Sequence, residues 1–358
     1  MAPKRLLLAA GGTGGHMFPA QALSEEMKRQ GWETALITDV RGAKLTQNFP
    51  HDEMLTISAA TISPRRPIKA VKGIITILKG YAQSRKFINE WRPDVVAGFG
   101  GYPAFPALKA AQTLKRPYIL HEQNAVLGRV NRALVKDAKF LATGFLNTER
   151  NNYPKKTHFV GNPVRTQIIE AVPENYTLSD PINIFIVGGS LGARLISQTI
   201  PQAIALLPEE LRKRLNIVQQ TRQEYIDEAK SVYEAAGVRA QCESFFHAIE
   251  TQLREADYII SRAGALSVSE IALMGKPSLF VPLAIAMDDH QRANAGTLKD
   301  LNAADILPES EFTPERVASI LVKRINDSQW LHSAHKAAQT AAKPDAAAHL
   351  ARLVSSLA

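Results

Sequence analysis

One cysteine in 358 residues, Cys242, has nothing to pair with. The chain therefore holds no internal disulfide and no cysteine-built metal cluster, and a reducing compartment is its natural setting. Long apolar runs are missing too. No stretch approaches the roughly 18 uninterrupted apolar residues that span a bilayer. The start MAPKRLLLAAGG is basic and then apolar, but it passes straight into glycines, which marks a first strand and not a signal peptide. Aromatics make up only 7% of the chain and are scarce among its basic clusters, which weakens a nucleic-acid-binding reading. His121-Glu122 is not followed by HExxH or any comparable ligand spacing, so no metal site is expected.

What is present is enough apolar residue, 45%, and enough length for two α/β domains with full cores. The net charge of +9 is unevenly spread. Residues 1–160 carry 24 Lys and Arg against 11 Asp and Glu, whereas residues 161–358 are net acidic. The first half is thus suited to an anionic partner: nucleic acid, acidic lipid or a phosphorylated substrate. Residues 63–79, SPRRPIKAVKGIITILK, interleave Arg65, Arg66, Lys69, Lys72 and Lys79 with Ile68, Val71, Ile74, Ile75, Ile77 and Leu78. Such a segment is either a solvated helix packed by one face or a surface lying on an anionic membrane.

Two strand–glycine loop–helix openings organise the chain. A strand at residues 4–10 runs into GGTGGHMFPAQAL, and a strand at 182–187 into GGSLGARLIS. The first loop invites a dinucleotide-cofactor reading, with Asp39 where a ribose-binding acid would stand, but the third glycine position holds Met17. His16 at the helix mouth is a general base or a capping residue. A second glycine turn, GFGGYPAFP, presents Tyr102. His121, Glu122, Gln123 and Asn124 follow a short strand at 118–120, with Asn131 in the next helix, where α/β proteins place ligand contacts. The turn GNPVR carries Arg165, which faces a diphosphate or a surface carboxylate, and the domain boundary is expected near residue 161.

In the second half, Ser190 and the N–H groups around Gly192 suit an anion. Phe245 and Phe246 are core residues or border a nucleobase. Residues 258–282 read as strand, turn, helix and strand. Glu270 near that helix's start either complements its macrodipole or accepts from ribose hydroxyls. Asp288, Asp289, His290, Gln291 and Asn294 have the polar density that sugar hydroxyls require.

Taken in order, GGTGGHMFPAQAL, GFGGYPAFP, HEQNAVLGRVNR, GNPVR, GGSLGA and RAGALSVSEIALMGKPSLFVP closely resemble the motif set of the MurG family, the peptidoglycan N-acetylglucosaminyltransferases. The motifs cover nearly the whole chain. The resemblance implies a GT-B fold: two Rossmann-like parallel-sheet domains facing across a cleft. An acceptor and membrane-facing domain would span residues 1–161 and a UDP-sugar donor domain 162–337, with a last helix at 338–358 returning to the first. It implies transfer of N-acetylglucosamine from UDP-N-acetylglucosamine to the 4-hydroxyl of undecaprenyl-diphospho-muramoyl-pentapeptide (lipid I), giving lipid II. The anomeric centre would invert, with no metal and no cofactor. Another UDP-sugar transferase or a UDP-sugar epimerase is the alternative.

Carried over by motif, His16 and Glu122 would be catalytic, with His16 the leading base. Thr13, Gly14, Asn124, Arg165, Ser190, Phe246, Ala265, Leu266, Ser267, Glu270 and Gln291 would hold the donor, and Thr13, His16, Tyr102 and Asn131 the acceptor. Three positions depart from the family pattern: His290 stands where a glutamine occurs, Ser267 replaces a threonine, and Leu191 replaces a polar residue. The resemblance also implies a peripheral enzyme on the cytoplasmic face of the cell membrane, in contact with anionic lipid and with other cell-wall synthesis proteins, and without a nucleic-acid partner.

Overall fold

The computed structural model describes residues 3–60, 67–189 and 193–358. The chain divides into two compact units, Met1–Thr166 with Lys343–Ala358, and Gln167–Ala342. Among the described residues the first unit carries a seven-stranded sheet of order β3-β2-β1-β4-β5-β6-β7. Its strands are β1 (Arg5–Ala9), β2 (Glu33–Asp39), β3 (Glu53–Ile57), β4 (Val95–Gly98), β5 (Tyr118–Glu122), β6 (Phe140–Thr143) and β7 (Thr157–Phe159), and every pairing is parallel. Leu6, Leu7 and Leu8 are all fully buried, as a central parallel strand covered on both faces demands. The helices of this unit are α1 (Gly14–Arg29), α2 (Val40–Ala43), α3 (Pro67–Trp91), α4 (Gly101–Thr113) and α5 (Arg129–Leu134).

The second unit repeats the architecture with six described strands, order β10-β9-β8-β11-β12-β13. These are β8 (Ile182–Val187), β9 (Leu215–Gln220), β10 (Arg239–Glu243), β11 (Tyr258–Ser261), β12 (Ser278–Phe280) and β13 (Ala304–Ile306), again all parallel. The helices in chain order are α6 (Thr166–Glu170) at the junction, α7 (Arg194–Ala205), α8 (Glu209–Arg212), α9 (Ile226–Ala235), α10 (Ile249–Glu255), α11 (Ala265–Met274), α12 (His290–Asp300), α13 (Pro314–Ile325) and α14 (Ser328–Thr340). The helix α11 stops at Gly275, whose φ of 65° and ψ of 37° are a left-handed cap that favours glycine. Last comes α15 (Ala346–Ser355), which belongs to the first unit, where Leu350, Ala351 and Val354 complete a core with Leu6, Leu8, Met17, Leu23 and Met27.

Several expectations shift in detail. The last helix, expected over residues 338–358, begins later, because Pro344 has no N–H to offer and constrains the residue before it, so α14 ends at Thr340 and α15 starts at Ala346. The turn at residue 161 lies inside the first unit and not at its edge: a side chain on Gly161 would meet the Lys343 Cβ at 2.4 Å, so this turn is packed under the start of the returning segment. His121 and Glu122 are the last residues of β5 itself, both buried, and do not stand beyond it. On α3, Val71, Ile74, Ile75 and Leu78 are exposed alongside Lys72 and Lys79. Arg65 and Arg66 lie outside the described residues, as do the side chains of Ile68 and Lys69. No helix among the described residues is long and apolar enough to cross a membrane.

Candidate functional site

In each sheet the strand order reverses once, between β1 and β4 in the first unit and between β8 and β11 in the second. The loops leaving the carboxyl ends of such a pair diverge, and the crevice they open is where open α/β sheets bind ligands. In the first unit these are the loop after β1, with Thr13, Gly14 and His16, and the turn after β4, with Gly100, Gly101 and Tyr102. The sequence-expected acceptor residues therefore meet at one sheet edge, together with Glu122, Asn124 and Asn131 from the neighbouring β5 and α5.

His16 sits in the first turn of α1, half-buried, and its Nδ1 lies 2.8 Å from the Phe99 carbonyl oxygen. A carbonyl only accepts, so Nδ1 carries the hydrogen, and in the neutral imidazole the lone pair is then on Nε2. That lone pair belongs to a ring lying against the backbone of Gly101: a Cβ there would stand 3.2 Å from Nε2. Gly100 and Gly101 both have φ of 71°, the left-handed region in which a side chain is strained. The turn is thus glycine both for its backbone and for the room it leaves over the imidazole. Thr13 occupies the N-cap position of α1 with an extended backbone, yet its exposed hydroxyl makes no capping bond, so that hydroxyl is open to a ligand.

Glu122 is a carboxylate already in use. Its Oε1 accepts from the Asn124 N–H at 3.1 Å and from Asn124 Nδ2 at 3.2 Å. Its Oε2 accepts from the Gly128 N–H and from Asn131 Nδ2, both at 2.8 Å. Four donors fold the segment from Asn124 to Asn131 around this one buried side chain. Beside it, His121 donates from Nε2 to the Gly161 carbonyl at 3.1 Å, while its Nδ1 has no partner. Burial pushes its imidazole down to about 4, with the Gly161 bond opposing and the nearby His16 adding to the shift, so His121 is neutral.

Three residues that the sequence points to have partners it does not reveal. Asp39 does not wait for a ribose: its Oδ1 accepts from the Gly12 N–H at 2.8 Å and the Gly42 N–H at 2.9 Å, pinning the glycine loop to the start of α2. Tyr102 is held by its hydroxyl, which bonds Arg41 and reaches Asp39 Oδ2 at 3.4 Å, with the Arg41 guanidinium 5.3 Å from its ring. Gln123 reaches the Phe99 carbonyl. Apart from the local cap bond to Gly42, the sequence gives no hint of these partners, because each bond joins segments far apart in the chain. Arg165 lies in the first unit with its guanidinium 4.7 Å from the Phe18 ring centroid.

In the second unit, α11 begins directly behind β11, with Gly264 at its N-cap and no side chain capping it. The N–H groups of Ala265, Leu266 and Ser267 are among those an α-helix leaves unbonded, a ready seat for phosphate oxygens. Glu270 is half-buried on the second turn of the same helix. Phe246, half-buried, meets Phe185 edge to face at 5.7 Å, while Phe245 is exposed. Gln291 spends its Oε1 on the Leu283 N–H at 2.9 Å, which leaves its amide NH2 to donate elsewhere. Asn294 is buried, with Nδ2 on the Ala263 carbonyl at 3.1 Å, and so braces the turn before α11. The loop between these parts is braced by Arg262, which reaches the Val281 carbonyl at 3.0 Å and Glu309 at 2.5 Å. Asp288 and Asp289, just before His290, both have positive φ. Ser190 and Leu191 lie outside the described residues. Among the described residues no three His, Cys, Asp or Glu side chains converge as metal ligands.

Two family models match most of the chain: the glycosyltransferase family 28 N-terminal domain over residues 6–143 and the glycosyltransferase family 28 C-terminal domain over residues 183–350. The chain belongs to glycosyltransferase family 28. Proteins similar to it along its whole length include the UDP-N-acetylglucosamine--N-acetylmuramyl-(pentapeptide) pyrophosphoryl-undecaprenol N-acetylglucosamine transferase of Maricaulis maris, 46% identical over 362 residues, covering 100% of this chain and 98% of that protein. The enzyme of the same name from Brucella abortus is 40% identical over 99% of this chain and 94% of its own. Among solved structures, Acinetobacter baumannii MurG superposes with a TM-score of 0.81 at 32% identity, covering 99% of this chain and 100% of that one. The MurG resemblance carried by the motifs and the GT-B fold class are both borne out. A UDP-N-acetylglucosamine 2-epimerase from Listeria monocytogenes shares the fold, with a TM-score of 0.70 at 14% identity over 98% of this chain and 95% of that one.

Proposed function

We propose that this family 28 enzyme transfers N-acetylglucosamine from UDP-N-acetylglucosamine to the 4-hydroxyl of lipid I, forming lipid II for peptidoglycan synthesis. The observation that carries the reading is the His16 imidazole, held through Nδ1 by the Phe99 carbonyl at the switch point of the first sheet, in a chain that matches transferases of that substrate along its full length. His16 Nε2 takes the proton of the acceptor hydroxyl as its oxygen attacks the anomeric carbon. The bond from that carbon to the UDP diphosphate oxygen breaks on the opposite side, so an α-linked donor gives a β-linked product. Glu122 supports this step by holding Asn124 and Asn131, while Thr13, Gly14 and Tyr102 line the same sheet edge for the sugars.

The second unit holds the donor. Glu270 accepts from the ribose hydroxyls, the uracil lies beside Phe246, and the Gln291 amide donates to the sugar. Charge developing on the departing diphosphate is met by the N-terminus of α11 through Ala265, Leu266 and Ser267, with Ser190 and Arg165 as further ligands. These are dipoles and a guanidinium, so the reaction proceeds without a metal. Because the acceptor's lipid tail stays in a bilayer, the enzyme works peripherally on the cytoplasmic face of the cell membrane, docking through the apolar and basic face of α3 on anionic lipid.

The test is a binding and turnover pair. UDP should bind and NAD should not, and UDP should be released from UDP-N-acetylglucosamine only when a lipid I analogue is added. Conversion of the donor without an acceptor would instead indicate an epimerase.

A further inference from the structure

We infer that Gln123 is a positioning residue that fixes the tautomer of His16, an inference that rests on His16 being the base. The Phe99 carbonyl oxygen accepts two hydrogen bonds, from His16 Nδ1 at 2.8 Å and from Gln123 Nε2 at 3.0 Å. Phe99 is followed by Gly100 and Gly101, both at φ 71°. Glycine after Phe99 removes the Cβ that would limit one of the two torsions orienting this carbonyl, so its partners help to set where it points. One of those partners is the base, which is itself being oriented. The other must be fixed independently, and Gln123 is.

Gln123 directly follows β5, is only 2% exposed, and is tied down by Asn162, whose Nδ2 donates to the Gln123 main-chain carbonyl at 3.0 Å. Its own Oε1 has no partner in the protein. Burying an amide with one end unpaired is costly, and an apolar side chain of the same length would avoid the cost. What an apolar residue lacks is the donor that reaches Phe99. With that donor in place, the carbonyl stays aimed at Nδ1, the hydrogen stays on Nδ1, and Nε2 remains free to accept a proton. Without it the peptide is free to turn, the imidazole shifts toward the tautomer protonated on Nε2, and that form takes no proton from the acceptor.

The test uses Gln123→Met, which keeps the volume and removes the donor. In the free enzyme, NMR of the ring nitrogens, with His16 assigned by its loss in His16→Gln, should show the Nδ1-protonated tautomer in wild type and a shift toward the Nε2-protonated one in Gln123→Met. Turnover should fall by at least about tenfold, as expected when a general base is misprotonated, with KM for UDP-N-acetylglucosamine unchanged. In a His16→Gln background the same substitution should change turnover by less than about twofold, because residues that act through one another are not additive. An unchanged tautomer, or an equal loss in both backgrounds, would overturn the inference. If Gln123→Met does not fold, Gln123→Asn withdraws the amide by one methylene and is read in the same way. Failure of the transferase reading shows separately, as a wild-type enzyme without turnover in which the tautomer still depends on Gln123.

Discussion

Replacing Ile75 and Leu78 on α3 with serine should detach the enzyme from anionic vesicles. Both side chains are 60% exposed, and Val71 and Ile74 beside them are 57% and 46% exposed. Full burial of such a side chain is worth about 1.5–3 kcal/mol, so burying the exposed part of each in the headgroup region contributes roughly 1 kcal/mol. Removing two costs about 2 kcal/mol, close to a thirtyfold fall in the partition coefficient at tenfold per 1.4 kcal/mol. Lys72 and Lys79 each add about 1 kcal/mol on an anionic surface, a contribution that salt screens and serine substitution at the apolar positions leaves in place. Cosedimentation with vesicles containing phosphatidylglycerol measures both. The double serine variant should bind about thirtyfold more weakly at any salt, and Lys72→Gln with Lys79→Gln should reduce the salt dependence. Equal partition of wild type and the serine variant would refute the docking face. Turnover of a water-soluble acceptor should be unaffected in either variant.

Two further outcomes follow from the first unit. Gly101→Ala places a Cβ 3.2 Å from His16 Nε2 on a backbone at φ 71°, a conformation that costs an L-residue about 1–2 kcal/mol. Turnover should drop while UDP binding, which the proposal assigns mainly to the second unit, is retained, and an unaltered rate would show that the turn does not border the reacting atoms. His121, held at about 4 in the fold against 6.5 unfolded, takes up its proton more readily when unfolded. Stability should therefore be fully present above pH 6.5 and decline as pH falls toward 4, by up to about 3 kcal/mol. Urea unfolding across that range should show a shallower decline in His121→Leu, and identical slopes would mean the imidazole is not buried in its neutral form.

Much of the fold was legible because parallel strands buried on both faces read as short apolar runs, as at Leu6–Leu7–Leu8 and over β8. The edge strand β3 was not, since four of its five residues are partly or fully exposed and its pattern resembles a loop. At three residues, β13 is too short to carry a periodicity. The candidate site was legible as motifs: glycine turns and His16 at a helix mouth fall where the sheet order reverses, and the polar run at the end of β5 falls beside them. What those side chains do to one another was not. Glu122 read as one of a run of ligand-contacting polar residues, and only the fold brings four donors to it. Asp39 stood at the position of a ribose acid, and only the fold shows it holding Gly12. The link from His16 through the Phe99 carbonyl to Gln123 joins α1, the turn after β4 and the end of β5, and no spacing within the chain encodes it.

The most direct measurement of the central claim is the linkage formed when the enzyme is incubated with UDP-N-acetylglucosamine and a lipid I analogue in excess EDTA. The account predicts a disaccharide product with a β-anomeric bond, read from its proton coupling, at the rate seen without chelator. An α-linked product, no product, or a rate that returns only on adding divalent metal would contradict it.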